Sequence, residues 1–272
     1  MTSAYLLVTH GSRAPRPQIA VEQLAHIVKQ QLSLKQLIKI SRSFSTKNGT
    51  VENSVRGSTA LLQSISSPLI ETAPLELTSL SLSQRIQQLG EKAKIQGIQN
   101  LKIIPLFLLP GVHVREDIPE EVAIAQQHLG KTMDLEVMPY LGSHYCRLTF
   151  FLSRQFEEAA TIGKILIAHG SRYGGGNQPI EAIAHHLQAL PAYWSVSPSL
   201  TDPVNILVEQ GKKSITIVPY FLFAGRITTA IAQQVKQLQS TVPQIKLQMG
   251  SPLGATPELA GLIVEIIQAN LG

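Results

Sequence analysis

Two histidines and one glutamate are the residues of this sequence whose types and positions favour metal chemistry. His10 directly follows the apolar run 5–9, His113 follows a second apolar run at 101–108, and Glu76 lies between them in the chain. Imidazole and carboxylate groups suit borderline divalent ions such as iron, cobalt, nickel and zinc. The three side chains would form a partial shell with open coordination positions. For Glu76 alone, a solvated side chain before a helix is an equally good explanation.

The pattern around His10 predicts where such a site would lie. A short apolar run that ends at glycine is typical of a buried parallel strand, and ligands of open α/β sheets bind at the carboxyl ends of strands. The stretch 6–13 has this form, with His10-Gly11-Ser12-Arg13 at its end, and it recurs at 165–172 around His169. One isolated copy is explained well by a simple turn. Two copies in corresponding contexts favour a ligand site at the carboxyl ends of these strands.

The order of predicted elements also repeats. Helices are expected at 17–32, 82–95 and 145–156 and again at 179–190, and strands at 75–77, 101–108, 135–138, 165–168 and 214–225. This repetition predicts a duplicated chain with halves 1–162 and 163–272. The segment 41–67 is rich in Ser, Thr, Asn and Gly and has no counterpart in the second half. We interpret it as an inserted flexible loop.

Alternating strands and helices predict an α/β fold with two similar, doubly wound domains. Each domain should have a mostly parallel sheet, and a cleft should lie between the two domains. Pockets form preferentially at such interfaces, and His10 and His113 both lie on loops that leave strands. Pro105, inside the run 101–108, predicts a strand end or a bulge at that point. The segment that starts at Asp117 has the acidic residues and proline of a capped helix start.

The two halves differ at the residues that could do chemistry. Alignment on Pro105 and Pro219 sets His113 opposite Ile227, and alignment on Ser81-Leu82 and Ser199-Leu200 sets Glu76 opposite Trp194. The second half therefore retains only His169. We expect one active site, in the first half, with the second half as the opposite wall of the cleft.

Composition narrows the classes of partner and compartment. The formal charge is +5, which suits an anionic partner. The basic residues are scattered and no nucleic-acid motif is present, so a small polyanion is favoured over nucleic acid. The single cysteine, Cys146, excludes a disulfide within the chain. No apolar run is long enough for a membrane span, and the first strand begins without a signal-like segment, so we expect a soluble cytoplasmic protein.

These residues resemble the sirohydrochlorin chelatases, the class II chelatases that insert iron or cobalt. The resemblance rests on 10–13, on Glu76 before Ser81-Leu82 and on 105–119, and it covers nearly the whole chain in the long, two-half form of the family. Its most specific part is the Gly-x-His-x-x-x-Asp-Ile-Pro stretch at 111–119. Two departures from the family pattern are the insertion between His10 and Glu76 and the lack of a histidine after Gly225.

The resemblance implies insertion of a divalent metal into a tetrapyrrole, with release of two protons. The product would be siroheme with ferrous iron, or a cobalamin precursor with cobalt, and no cofactor would be needed beyond the substrate metal. His10 and His113 would bind the metal, and together with Glu76 they would act as the catalytic residues. A neutral imidazole can accept a pyrrole proton at cytoplasmic pH.

The same resemblance implies how the substrate is held. Sirohydrochlorin carries eight carboxylates, and guanidinium groups bind carboxylates bidentately. Further substrate contacts are expected from Ser12, Arg13, Arg16, Arg115 and His169, although each arginine is equally explained as a surface residue. Because one chain would supply both walls of the cleft, a monomer should suffice. Two alternatives stay open: a binding protein for metal or tetrapyrrole without catalysis, and a protoporphyrin ferrochelatase, which the basic charge disfavours.

Overall fold

The computed structural model describes residues 3–45, 67–157 and 163–269, and these form eight strands and eight α-helices. Residues 158–162, which end the predicted first half, and residues 46–66 of the predicted loop lie outside the described residues. The strands are β1 (Ser3–Thr9), β2 (Ile70–Pro74), β3 (Asn100–Pro105), β4 (Asp134–Val137), β5 (Gly163–Ala168), β6 (Leu190–Tyr193), β7 (Ser214–Pro219) and β8 (Lys246–Met249). The helices are α1 (Pro15–Ser45), α2 (Leu82–Ile95), α3 (Ile118–Leu129), α4 (Tyr145–Glu157), α5 (Gln178–His186), α6 (Thr201–Glu209), α7 (Arg226–Thr241) and α8 (Pro257–Ala269).

The strands form two parallel four-stranded sheets with the same order. The first runs β2-β1-β3-β4 and the second β6-β5-β7-β8. In the first sheet, Leu7 of β1 is in register with Thr72 on one side and Ile104 on the other. Helices cover both faces of each sheet, and the predicted pair of doubly wound α/β domains is confirmed.

Side chains of β1 alternate between two separate cores. Leu6 and Val8 pack on one face with α2 and α3, whereas Tyr5 and Leu7 pack on the other face with α1. Successive strand residues point to opposite faces, so a strand buried on both faces must be apolar at every position. This explains the uninterrupted apolar run before His10.

The space between the two sheets is filled by one continuous core that belongs to both halves. It contains residues of α1, α4, α5 and α8 together with residues of β1 and β5. Gln31 of α1 donates a hydrogen bond to the carbonyl of Pro257 at the start of α8 (2.9 Å). Gln155 of α4 exchanges two hydrogen bonds with the backbone of Ser251, at 2.9 and 3.0 Å. A helix from each half of the sequence thus packs against the other half.

Several predicted element boundaries were wrong, and the strand expected at 214–225 already ends at Pro219. Helix α1 continues to Ser45, so residues 41–45 are helical rather than part of a loop. Ser33 and Ser41 donate their hydroxyls to carbonyls of the preceding turn, and this lets polar residues continue the helix. The strand expected at 75–77 lies at Ile70–Pro74. It is an edge strand and carries polar residues, which weakened the apolar signal.

A further wrong boundary concerns α5, which ends at His186 rather than at residue 190. Gln188 has a φ of 55° and stops the helix, and Leu190 then begins β6. The expectation for Pro105 was right, because β3 ends at this residue. Among the described residues, no helix is long and apolar enough to cross a membrane.

The shared core predicts that the two sheets unfold together. Leu152 of α4 is fully buried in this core. Leu152→Ala should lower the free energy of unfolding by about 2–5 kcal/mol through loss of buried apolar contacts. The matched control is Ile95→Ala, because the side chain of Ile95 is 88% exposed. Urea unfolding followed by circular dichroism should show one transition in both variants; two separate transitions, with only one shifted by Leu152→Ala, would contradict the shared core.

Candidate functional site

His10, Glu76 and His113 meet at the carboxyl edge of the first sheet because β2, β1 and β3 are neighbours. His10 directly follows β1, and Glu76 comes two residues after the end of β2. The amide of Glu76 donates a hydrogen bond to the carbonyl of His10 (3.0 Å), which extends the pairing of the two strands beyond their ends. His113 begins a single π-helical turn that leads into α3.

The three side chains form a compact group of ligand atoms. Glu76 faces both histidines: one carboxylate oxygen lies 3.8 Å from Nδ1 of His10, and the other lies 3.8 Å from Nε2 of His113. The two imidazole rings are perpendicular, with centroids 4.7 Å apart. One ligand atom from each residue falls within 4.8 Å of the other two. This spacing is too long for hydrogen bonds between the groups and leaves room for an ion among them.

Asp117 is a fourth member of this group, and the sequence interpretation missed its role. Its carboxylate lies 2.5 Å from Nδ1 of His113. Asp117 makes no capping hydrogen bond to the helix that follows, contrary to the predicted capped start. A carboxylate at this position accepts a hydrogen bond from the Nδ1–H of His113. Nε2 is then the unprotonated nitrogen, and its lone pair faces Glu76. The i, i+4 spacing of the two residues was the signal in the sequence.

Gly11 allows the close approach of the strand ends that carry His10 and Glu76. Its φ is 102°, in the region that side chains other than glycine rarely adopt. A Cβ atom at this position would lie only 2.2 Å from the carbonyl oxygen of Glu76. Glycine is therefore required here by both the backbone conformation and the neighbouring backbone.

A cleft of about 540 Å³ opens beside this group, between the carboxyl ends of the two sheets. His10 and His169 line it from opposite halves. The rest of its wall is mainly apolar and includes the aromatic residues Phe107, Tyr220, Phe221 and Phe223. The expected cleft between the halves is thus present, and it offers flat, apolar surfaces next to a polar edge.

Two buried or half-buried phenols near the site stay neutral near pH 7. Burial raises the pKa of Tyr220, and the nearby Tyr140 acts in the same direction. Burial also raises the pKa of Tyr140, while the guanidinium of Arg115 acts in the opposite direction. Neutral phenols do not accept protons, so basic groups at this edge of the sheet must come from the histidines and carboxylates.

The second half has a different set of residues at the equivalent edge. The amide of Ser195 donates to the carbonyl of His169 (2.9 Å), as Glu76 does to His10. Ser195, and not Trp194, is therefore the counterpart of Glu76, and the predicted alignment was wrong by one residue. The prediction had matched Ser81 with Ser199, but the helix N-caps are Ser81 and Leu200, so Glu76 and Ser195 each lie five residues before the cap.

The structure separates the residues expected to contact substrate into several places. Ser12 and His169 line the cleft. Arg13 lies in a neighbouring pocket of about 470 Å³, to which Ser12 also contributes. Arg16 is exposed in the first turn of α1, and Arg115 is exposed beside Tyr140. Substrate contact by these residues stays a prediction.

Comparison with protein families gives one match that covers most of the chain. A family model described as CbiX matches residues 45–158 and 163–270. The sirohydrochlorin ferrochelatase of Priestia megaterium is 25% identical over 194 residues, which are 66% of this chain and 70% of that protein. The sirohydrochlorin cobaltochelatase of the same organism is 24% identical over 218 residues, 75% of this chain and 70% of that protein.

Solved structures share the fold over nearly the whole length. The sirohydrochlorin chelatase SirB from Bacillus subtilis subspecies spizizenii, in complex with cobalt, matches with a TM-score of 0.64 and 21% identity, covering 98% of this chain and 94% of that chain. SirB from Bacillus subtilis with Fe3+ matches with a TM-score of 0.68 and 20% identity, covering 98% of this chain and 95% of that chain. At this identity the likeness establishes the two-sheet fold.

The close approach at Gly11 predicts a large effect of a single methyl group. Gly11→Ala should destabilise the fold by about 1–3 kcal/mol, because the strained φ and the clash with the Glu76 carbonyl add. The control is Gly174→Ala, whose added Cβ would meet open space. Denaturant unfolding of both variants checks this. Equal stability of the two variants would show that the strand ends can separate at no cost.

Proposed function

Because this chain belongs to the CbiX family, we propose that it is a chelatase that inserts a divalent metal ion into sirohydrochlorin. One ferrous or cobaltous ion enters the macrocycle, and two pyrrole protons leave. The main observation behind this proposal is that His10, Glu76 and His113 each place one ligand atom within 4.8 Å of the others, next to an apolar cleft. The names of the two Priestia megaterium relatives support both the macrocycle and the choice of metals.

The three residues fit the handling of a substrate metal rather than permanent storage. His10 and His113 each offer a nitrogen ligand, and Glu76 offers one oxygen to either side. Two nitrogens and a carboxylate suit borderline divalent ions, and three ligands are fewer than the full shell of such ions. The ion therefore keeps open positions, through which pyrrole nitrogens can replace the protein ligands one by one.

The same groups can take the protons that the macrocycle releases. Each pyrrole N–H bond that breaks gives its electron pair to the metal and its proton to a base. A neutral imidazole and a carboxylate are both bases near pH 7. Glu76 and the side chain of His10 are about half exposed, so protons that they accept can pass to water. Asp117 would keep the Nε2 lone pair of His113 available for this role.

The cleft supplies the binding surface for the macrocycle. A flat conjugated ring gains from contact with aromatic side chains, and Phe107, Phe221 and Phe223 line the cleft. His169 lies on the wall opposite His10, where we propose that it contacts the bound ring. Both walls come from one chain, which supports function as a monomer. A cytoplasmic location belongs to the same proposal, because that compartment is kept reducing and ferrous iron persists there.

Removal of either imidazole should abolish insertion. His10→Ala and His113→Ala should each lower the rate of metal insertion by about 100-fold or more, since ligand and base are lost together. Insertion is followed by the change in sirohydrochlorin absorption, with sirohydrochlorin and ferrous or cobaltous ion in excess over protein. The control is His128→Ala, which removes an exposed imidazole on α3. Rates near that of the unchanged protein in both site variants would refute the assignment, and conversion of one equivalent only would favour a binding protein.

The contact between Asp117 and His113 predicts a smaller, graded effect. Asp117→Asn should lower kcat for insertion by about 10–100-fold, the range for partners that orient a ligating histidine. Glu116→Gln, on the same turn, is the control for loss of one negative charge. Asp117→Glu should recover part of the rate, because it restores an acceptor for the Nδ1 proton. If Asp117→Asn behaves like Glu116→Gln, the contact does not orient His113.

A further inference from the structure

A second pocket lies beside the proposed metal site and has the chemistry of a carboxylate receptor. Its volume is about 470 Å³, and it shares Ser12 and Gln18 with the cleft. Leu77, the residue after Glu76, also lines it. A group bound in this pocket would therefore be separated from the metal site by the width of one short loop.

The pocket contains two guanidinium groups from different elements. Arg13 belongs to the loop after His10, and Arg85 belongs to the first helical turns of α2. One carboxylate, that of Glu22, also lines the pocket, and it already accepts a hydrogen bond from Gln18 (2.9 Å). Within the described part of the chain, neither arginine takes part in an ion pair. The pocket thus has an excess of positive charge.

Arg85 carries the strongest sign of a missing partner. Its Nη2 donates to the hydroxyl of Thr78 (3.0 Å), which fixes the plane of the guanidinium. Its Nε is buried and finds no hydrogen-bond acceptor among the described residues. A buried donor without an acceptor is costly, and such groups usually have a partner in the functional state. An Arg whose Nε and outer nitrogen bind the same carboxylate is a common arrangement.

We propose that Arg85, with Arg13 and Thr78, binds one peripheral carboxylate of the tetrapyrrole substrate while the macrocycle occupies the cleft. This inference rests on the proposed function and extends it to a residue that orients the ring. A ring held by one acidic side chain next to Glu76 cannot slide or rotate freely, so its nitrogens are kept over the two histidines. A ring with free peripheral carboxylates would be preferred over one whose carboxylates are esterified.

Binding of porphyrins that differ in their number of carboxylates tests this subsite without metal insertion. Uroporphyrin has eight carboxylates and its octamethyl ester has no free carboxylate, and the binding of each can be followed by fluorescence quenching at fixed ionic strength and detergent concentration. Arg85→Met keeps the aliphatic stem and removes the donors. It should weaken uroporphyrin binding by about tenfold, the usual effect of losing a charge-assisted pair, and change binding of the octamethyl ester by less than about twofold. Arg85→Lys should not restore binding, because a single ammonium lacks the Nε donor and the planar fork.

The matched control is Arg154→Met, which removes one exposed positive charge from α4. It should leave the binding of both porphyrins unchanged. A loss of equal size for both porphyrins in Arg85→Met, with unfolding unchanged, would overturn the proposal, as would no loss at all. A free oxyanion offers the same chemistry, so inorganic phosphate is titrated in parallel. Phosphate binding that depends on Arg85, with uroporphyrin binding unaffected, would assign the pocket to a free anion and also overturn it.

Kinetics separate this proposal from the activity itself. If the unchanged protein inserts metal, Arg85→Met should raise KM for sirohydrochlorin about tenfold and leave KM for the metal unchanged. If Arg85→Met inserts metal with an unaltered KM for sirohydrochlorin, the proposed subsite is refuted and the proposed function is not affected. Conversely, if the unchanged protein does not insert metal but binds uroporphyrin in a way that depends on Arg85, the proposed chelatase activity is refuted and the subsite is supported.

Discussion

The parallel pairing of β1 with both β2 and β3 is the constraint on which the candidate site depends. It aligns three strand ends at one edge of the sheet, although His10, Glu76 and His113 are far apart in sequence. The pairing continues past the strands through the hydrogen bond from Glu76 to the carbonyl of His10. That continuation requires glycine at position 11, because any side chain there would meet the Glu76 backbone. The position of the ligand atoms is thus set mainly by backbone geometry.

Much of the fold could be predicted because buried parallel strands must be apolar on both faces. Because of this constraint, the sequence predicts β1, β3, β5 and β7, each of which is central in its sheet. The edge strand β2 escaped, because its Glu71 and Thr72 are only partly buried and do not need to be apolar. The packing of helices from each half against the other half was also not predicted. It depends on contacts between α1 and α8 at opposite ends of the sequence, which periodicity does not report.

The candidate ligands could be predicted from residue type and position, whereas their supporting partners could not. His10 and His113 stand next to strong strand signals, so the edge they share follows from the topology. Asp117 looked like a helix cap because acidic residues are common at helix starts. Its i, i+4 spacing from His113 allows either role, and the structure shows that its carboxylate contacts the imidazole. The role proposed for Arg85 depends in the same way on a buried atom and a neighbouring hydroxyl, neither of which has a signature in the sequence.

The two halves differ at equivalent edges of their sheets, and this difference supports the proposal of a single site in the first half. At the edge of the second sheet, the hydroxyl of Ser195 lies 3.4 Å from Nδ1 of His169, and the apolar Ile227 lines the same cleft at the position that corresponds to His113. Its Nδ1 lies 3.0 Å from the carbonyl oxygen of Gly170, a contact that ties the ring to its own loop. A lone imidazole there would bind a divalent ion weakly, but it can still contact a ligand in the cleft. In the proposed function the second half therefore serves as a wall of the cleft, and a flat substrate bound there would present its metal-binding face to His10, Glu76 and His113.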